Sequence, residues 1–172
     1  GDNAGYMFSE AHLDSITDYP GFKGLWSSFN SLNMFEMAHT IKRNYKEMYQ
    51  GQILWSFVDN HDVARIASQL TDLEKLPLIY GMLFSLPGIP CIYYGSEWGI
   101  EGDRKITDLN LRPEIFLEKY EKNEFAKKIE KEISQLISIR KSNIELTHGN
   151  YKEILVKNKQ FIFGRCYNDK WI

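Results

Sequence analysis

Asp59-Asn60-His61-Asp62 brings two carboxylates, a carboxamide and an imidazole into four consecutive positions of this 172-residue chain. A carboxylate can serve as nucleophile, general acid or base, or hydrogen-bond acceptor, and an imidazole can donate or accept a proton near neutral pH. The same residue types also support purely structural roles. Asp62 could cap a helical segment through Val63-Ala64-Arg65. His61 could be a satisfied core histidine. Asp59, His61 and Asp62 together could ligate a metal ion. The tetrapeptide alone leaves these alternatives open.

Its surroundings narrow the choice. Ile53-Leu54-Trp55-Ser56-Phe57-Val58 is an almost continuous apolar run, the pattern of a strand buried on both faces in a parallel sheet, and it leads straight into Asp59. A second strand of this kind is expected at Ile89-Pro90-Cys91-Ile92-Tyr93-Tyr94, where Pro90 near the start is tolerated. An irregular stretch follows it from Gly95 to Pro113, and a loop of that length usually carries function. In βα barrels and open α/β sheets the site lies at the carboxyl ends of the strands. The tetrapeptide and the long loop are therefore expected to border one pocket.

Helices must pack these strands. Asn33 and Glu36 read as a capping box opening a helix whose apolar face runs through Phe35, Ala38, Ile41, Tyr45 and Met48, with Gly51 as its stop. Thr71 and Glu74 read as a second box before a helical stretch to Leu86, in which Pro77 predicts a kink or two short helices. Asn123 caps a third helix, with Phe125, Ile129, Ile133, Leu136 and Ile137 on one face. Ahead of these, Leu13 to Tyr19 reads as a short strand closed by Pro20-Gly21. The first eleven residues carry no element signal of their own. Tyr151–Val156 and Gln160–Tyr167 read as a hairpin joined at Lys157-Asn158-Lys159. Asn168-Asp169-Lys170 is a further turn, and Trp171-Ile172 starts a third strand. Strand and helix alternate, then antiparallel strands follow, so the class is α/β.

Several of these segments resemble one family. Phe57-Val58-Asp59-Asn60-His61-Asp62 is similar to the fourth conserved region of the α-amylase superfamily, at the end of the seventh strand of a (β/α)8 barrel. Gly88-Ile89-Pro90-Cys91-Ile92-Tyr93-Tyr94-Gly95-Ser96-Glu97-Trp98-Gly99 resembles its eighth-strand motif. Leu13-Asp14-Ser15-Ile16-Thr17-Asp18-Tyr19-Pro20 resembles the sixth-strand segment of the neopullulanase and cyclomaltodextrinase branch. The resemblance implies a partial TIM barrel over residues 1–142, strands six to eight with their helices, and the first strands of a truncated C-terminal β-domain over 143–172. It implies retaining hydrolysis of α-glucosidic bonds in starch-type glucans, maltodextrins or cyclodextrins, by two carboxyl groups about 5–5.5 Å apart.

The family's aspartate nucleophile and glutamate acid/base would both precede Gly1, and Gly1-Asp2 resembles the residues that follow that glutamate. Asp62 matches the third catalytic carboxylate, which hydrogen-bonds sugar hydroxyls beside the reacting carbon. His61 matches a histidine donating to the same sugar, and Arg112 an arginine that shapes the sugar pocket. Asn60 is placed with them as a substrate-binding residue whose own task is orienting the turn. The 172 residues alone are expected to be inactive. Two rivals stand beside this expectation: a non-catalytic glycosidase-like carbohydrate-binding scaffold, and a transglycosylase of the same superfamily.

The remaining candidates have lesser parts. Asp59 is left structural. Arg65 is expected to pair with a carboxylate near the site, and Glu97 to hold its loop. Trp98 either stacks on sugar or packs inside, and Tyr19 faces the pocket rim. The net charge of −2 points to neither nucleic acid nor an anionic membrane. An aromatic share of 14% suits core filling before sugar stacking. No apolar run approaches the roughly 20 residues of a membrane span. Cys91 and Cys166 read as buried thiols with no metal spacing, compatible with a reducing cytoplasm. No metal is assigned to this stretch; calcium is left to the parent protein. The expected partner is an α-glucan oligosaccharide. A homo-oligomer through exposed barrel surfaces is expected as well.

Overall fold

The computed structural model describes Glu10, residues 12–104 and residues 107–172. The expectations for Gly1-Asp2 and for the first eleven residues fall almost wholly outside them.

Three short parallel strands form one sheet in the order β1 (Ser15–Thr17), β2 (Ile53–Phe57), β3 (Ile89–Cys91). Thr17 is level with Trp55, and Trp55 with Ile89. The first crossover is α1 (Tyr19–Ser31) and α2 (Met34–Lys42), the latter running on as a π-helical turn over Arg43–Met48. The second is α3 (Ile66–Gln69), a 3-10 turn at Leu73–Lys75, and α4 (Leu76–Ser85). After β3 come two 3-10 turns, Ser96–Trp98 and Asp108–Leu111, then α5 (Leu117–Tyr120), α6 (Glu124–Ser142) and α7 (Ile144–His148). An antiparallel sheet of β4 (Asn150–Lys157), β5 (Gln160–Tyr167) and β6 (Lys170–Trp171) completes the described chain.

The core lies between one face of the parallel sheet and the helices. Leu54, Leu76, Ile79, Tyr80 and Leu83 are fully buried in it, each aliphatic side chain contributing about 1.5–3 kcal/mol. On the antiparallel sheet Tyr151, Val156, Phe161 and Phe163 pack against the same cluster. Gly88 sets the approach of β3 to β2. Its φ is +100°, and a Cβ there would stand 2.5 Å from the Leu54 carbonyl oxygen, so only glycine fits.

Several local expectations change. Ile53 and Trp55 are half exposed while Leu54 and Ser56 are buried. From Ile53 to Trp55 β2 is therefore covered on one face only, while at its end Phe57 is buried against Tyr19 and Phe22. Pro20-Gly21 does not close a strand: Pro20 sits in the first turn of α1, where its missing N–H costs nothing. Asp18 caps that helix, accepting the Gly21 N–H at 2.8 Å.

The two capping boxes do not form. Asn33 makes no side-chain cap bond, and Glu36 instead accepts the Ser27 hydroxyl from α1 at 2.8 Å. Thr71 turns to the Asn30 side chain, leaving Asp72 to cap the 3-10 turn. Gly51 (φ +73°) turns the chain toward β2 two residues beyond the helix cap at Tyr49. Pro77 lies in the first turn of α4, just after the 3-10 turn at Leu73–Lys75, so of its two alternatives the structure takes two short helical segments and no kink. Asn123 caps α6 as expected, accepting from Ala126 N at 3.0 Å. Asn168 and Asp169, both at positive φ, make the tight turn into β6.

Candidate functional site

β2 ends at Phe57, and the chain leaves the sheet through Asp59 to Asp62. Asn60 shapes this exit. Its Oδ1 accepts the Asp62 N–H at 2.8 Å, an Asx-type turn, and its Nδ2 donates to the Tyr19 hydroxyl at 3.3 Å. Asp62 then points outward with its side chain about half exposed. His61 Nε2 lies 3.2 Å from Asp62 Oδ2, and Arg112 Nη2 lies 3.5 Å from Asp62 Oδ1. The four site residues expected from sequence thus meet: each Asp62 oxygen has its own nitrogen neighbour, and Asn60 fixes the backbone beneath.

Asp59 faces the other way. It is 1% exposed. It accepts the Ile66 N–H at 2.8 Å and the Ser96 hydroxyl on both oxygens. Burial raises its pKa, opposed by those bonds and by the nearby Arg65 charge. The capping role considered for Asp62 therefore belongs to Asp59, which satisfies the first N–H of α3. A shared metal site for Asp59, His61 and Asp62 does not fit this divergence. Among the described residues no group of three or more His, Cys, Asp and Glu side chains is placed to hold a metal ion.

Arg65 differs from expectation. Its guanidinium is fully buried and, among the described residues, pairs directly with no carboxylate. It donates to the carbonyls of Tyr94 (2.6 Å) and Leu111 (2.8 Å) and to Ser96 Oγ (3.1 Å), and it lies 4.1 Å from the Tyr93 ring centroid. Asp59 is one hydroxyl away. The Ser96 hydroxyl stands between the two, accepting from Arg65 and donating to Asp59, so the countercharge acts through Ser96. Ser96 itself carried no sequence signal beyond its place in the strand-end motif.

An open cleft of about 220 Å³ lies along the exposed face of the sheet at its carboxyl end, lined by Thr17, Tyr19, Trp55, Phe57, Asn60, His61 and Tyr93 among others. Asp62 and Arg112 are outside this lining and join it through His61. Tyr19, 44% exposed, stands over Phe57 edge to face with centroids 5.2 Å apart, at the rim as expected. Trp98 packs against Tyr120, with rings nearly parallel and 5.1 Å apart, which settles its open alternative toward packing. Cys91 and Cys166 are unpaired and only partly buried.

Comparison with known proteins places the sequence in a family. The sequence matches the family described as "Alpha amylase, catalytic domain" over residues 2–149. It is 32% identical over 124 residues to a cyclomaltodextrinase of Thermoanaerobacter pseudethanolicus, covering 70% of this chain and 20% of that protein. It is 29% identical over 171 residues to an intracellular maltogenic amylase of Bacillus subtilis, covering 96% and 26%. The solved structure of an Anoxybacillus α-amylase superposes with a TM-score of 0.80 at 25% identity, over 99% of this chain and 38% of that one. The chain thus spans about a fifth to a quarter of the relatives it matches in sequence.

Proposed function

This chain belongs to the α-amylase family, and on that premise we propose that it is the C-terminal part of a retaining glycosidase acting on α-glucosidic bonds of starch-type glucans. β1, β2 and β3 are strands six, seven and eight of the (β/α)8 barrel. Residues 1–142 belong to the barrel and 143–172 open a C-terminal β-domain. Asp62 is the carboxylate that binds sugar hydroxyls next to the reacting carbon. His61 donates to the same sugar, Arg112 limits the swing of Asp62 from beyond the cleft lining, and Asn60 holds the turn.

The observation that supports this most is the arrangement around Asp62. It is half exposed at the carboxyl end of the central parallel strand, with His61 at 3.2 Å and Arg112 at 3.5 Å on its two oxygens. A carboxylate held but not neutralised can accept hydroxyl protons, and those bonds strengthen as positive charge grows on the sugar ring. The nucleophile and the acid/base come from chain preceding Gly1, so these 172 residues grip a sugar without cleaving it. The same grip serves hydrolysis and transfer to a second sugar, and product chromatography on the longer protein separates the two.

The test is maltotriose titration of the 172-residue chain, followed by NMR. Binding that Asp62→Asn weakens about tenfold or more is the expected outcome. Absence of any shift at His61 and Asp62 would overturn the reading. Turnover of a chromogenic maltooligosaccharide by this chain, abolished in Asp62→Asn, would overturn its inactivity.

A further inference from the structure

We infer that Arg65 is a positioning residue that sets the Asp62–Arg112 pair by clamping together the three segments from which the site is assembled. The inference rests on the function proposed for Asp62.

Arg65 stands three residues after Asp62 and is fully buried. Its backbone N–H donates to Gly102 O at 2.8 Å. Its side chain reaches the Tyr94 carbonyl, the Ser96 hydroxyl and the Leu111 carbonyl. One residue thus holds the exit of β2, the exit of β3, and the far end of the long loop. Leu111 immediately precedes Arg112, so the bond to its carbonyl fixes the backbone from which Arg112 reaches Asp62. The packing leaves little slack. A Cβ on Gly102 would stand 2.3 Å from the Asn110 carbonyl oxygen and 3.0 Å from Arg65 Cγ, so this part of the loop can close on Arg65 only as glycine.

The chemistry requires arginine. A planar guanidinium sends donors in several directions at once and stacks on a ring, and here it does both, lying 4.1 Å from the Tyr93 centroid. A lysine ammonium keeps the charge as a point and lacks the planar fork that sends separate nitrogens to the Tyr94 and Leu111 carbonyls. Ser96 adds the link to Asp59, which holds α3 through Ile66. The site residues themselves are half exposed, and their mutual distances are set from this buried hub.

The test is side-chain NMR on the 172-residue chain. In Arg65→Lys the through-space contact between Arg112 and Asp62 is expected to disappear while the sheet's amide pattern remains. A folded Arg65→Lys that keeps the contact would overturn the inference, because a merely structural arginine would change stability and not this signature. Should Arg65→Lys fail to fold, the unmodified chain still decides. The Arg65 guanidinium protons are expected to exchange with solvent far more slowly than those of exposed Arg104, and equal exchange overturns the clamp. Maltotriose added to the same samples separates the two proposals: an intact clamp with no sugar shifts in the unmodified chain overturns the function assigned to Asp62, not the geometry assigned to Arg65.

Discussion

The Asp59 carboxylate receives the Ser96 hydroxyl on both of its oxygens, at 2.7 and 2.8 Å, where neither residue is more than 1% exposed. A buried carboxylate is costly unless its oxygens are satisfied. Ser96→Ala leaves only the Ile66 N–H on Asp59 and also removes one acceptor from Arg65. The expected cost is about 1–3 kcal/mol, read as a lower urea midpoint at neutral pH with an unchanged slope. An unchanged midpoint would show that the pair contributes nothing.

Asp18 gives the fold a pH dependence with a defined sign. Burial is the main cause raising its pKa, from 3.8 to about 6, against the opposing Gly21 N–H and Arg43 charge. Between those values the folded chain keeps a proton that the unfolded chain has released. The contribution is therefore full below 3.8 and lost as pH climbs through about 6, some ~3 kcal/mol in size. Asp18→Asn keeps an Oδ1 for both donors, Gly21 N and Asn44 Nδ2, and cannot titrate. Its stability should be flatter than that of the unmodified chain across this window in urea titrations. Parallel curves for the two proteins would contradict the assignment.

The strand exits were legible because their signal is local. An apolar run ending in a polar cluster marks β2 and Asp59 to Asp62 whatever surrounds them, and Asn123 at the head of a long amphipathic stretch marks α6. α1 is obscured in the sequence, although Phe22, Leu25, Trp26 and Phe29 recur at helical spacing, because Pro20-Gly21 looks equally like a turn. Asn33 and Thr71 failed as caps because their competitors are distant in sequence: Glu36 is drawn to Ser27, and Thr71 to Asn30. Sequence puts Arg65 near a carboxylate but not at the Leu111 carbonyl, since nothing in a sequence says which of many carbonyls a buried arginine will find. Family resemblance, not pattern, puts Asp62 and Arg112, fifty residues apart, at one sugar site; their direct pairing at 3.5 Å is visible only in the structure.

Arg165 ties the antiparallel sheet to the helical layer. From β5 it donates to Gly149 O at 2.8 Å and to Ser85 O at 2.9 Å, while Arg140 takes the carbonyls of Phe84, Leu86 and Gly88. The two guanidiniums thus satisfy the C-terminal end of α4, where cations are favoured. Burial first, then the Arg140 charge, lowers the Arg165 pKa to about 10. Arg165→Met strands buried carbonyls on both sides and should cost about 2–4 kcal/mol. Hydrogen exchange checks where the loss falls: β4 and β5 amides should lose protection before those of β2. Uniform loss throughout the chain would mean that the sheet is held by its apolar face alone.

The exposed face of the parallel sheet carries the last prediction. Ile53, Trp55 and Ile89 are each about half exposed, and register places Trp55 beside Ile89. A contiguous apolar strip on a sheet face invites burial against another surface. In a solution of this chain alone, the surface in supply is a second copy. Sedimentation velocity should show self-association rising with protein concentration. Trp55→Glu should move the distribution toward monomer, because a carboxylate in the middle of the strip must be desolvated for the faces to meet. The fold should survive this change, since Trp55 points away from the helix-packed core. A monomeric unmodified chain across the micromolar range would show that the strip is too small or too interrupted to associate. Association unchanged in Trp55→Glu would instead place the contact elsewhere, on the exposed Ile154, Ile162 and Trp171 of the antiparallel sheet.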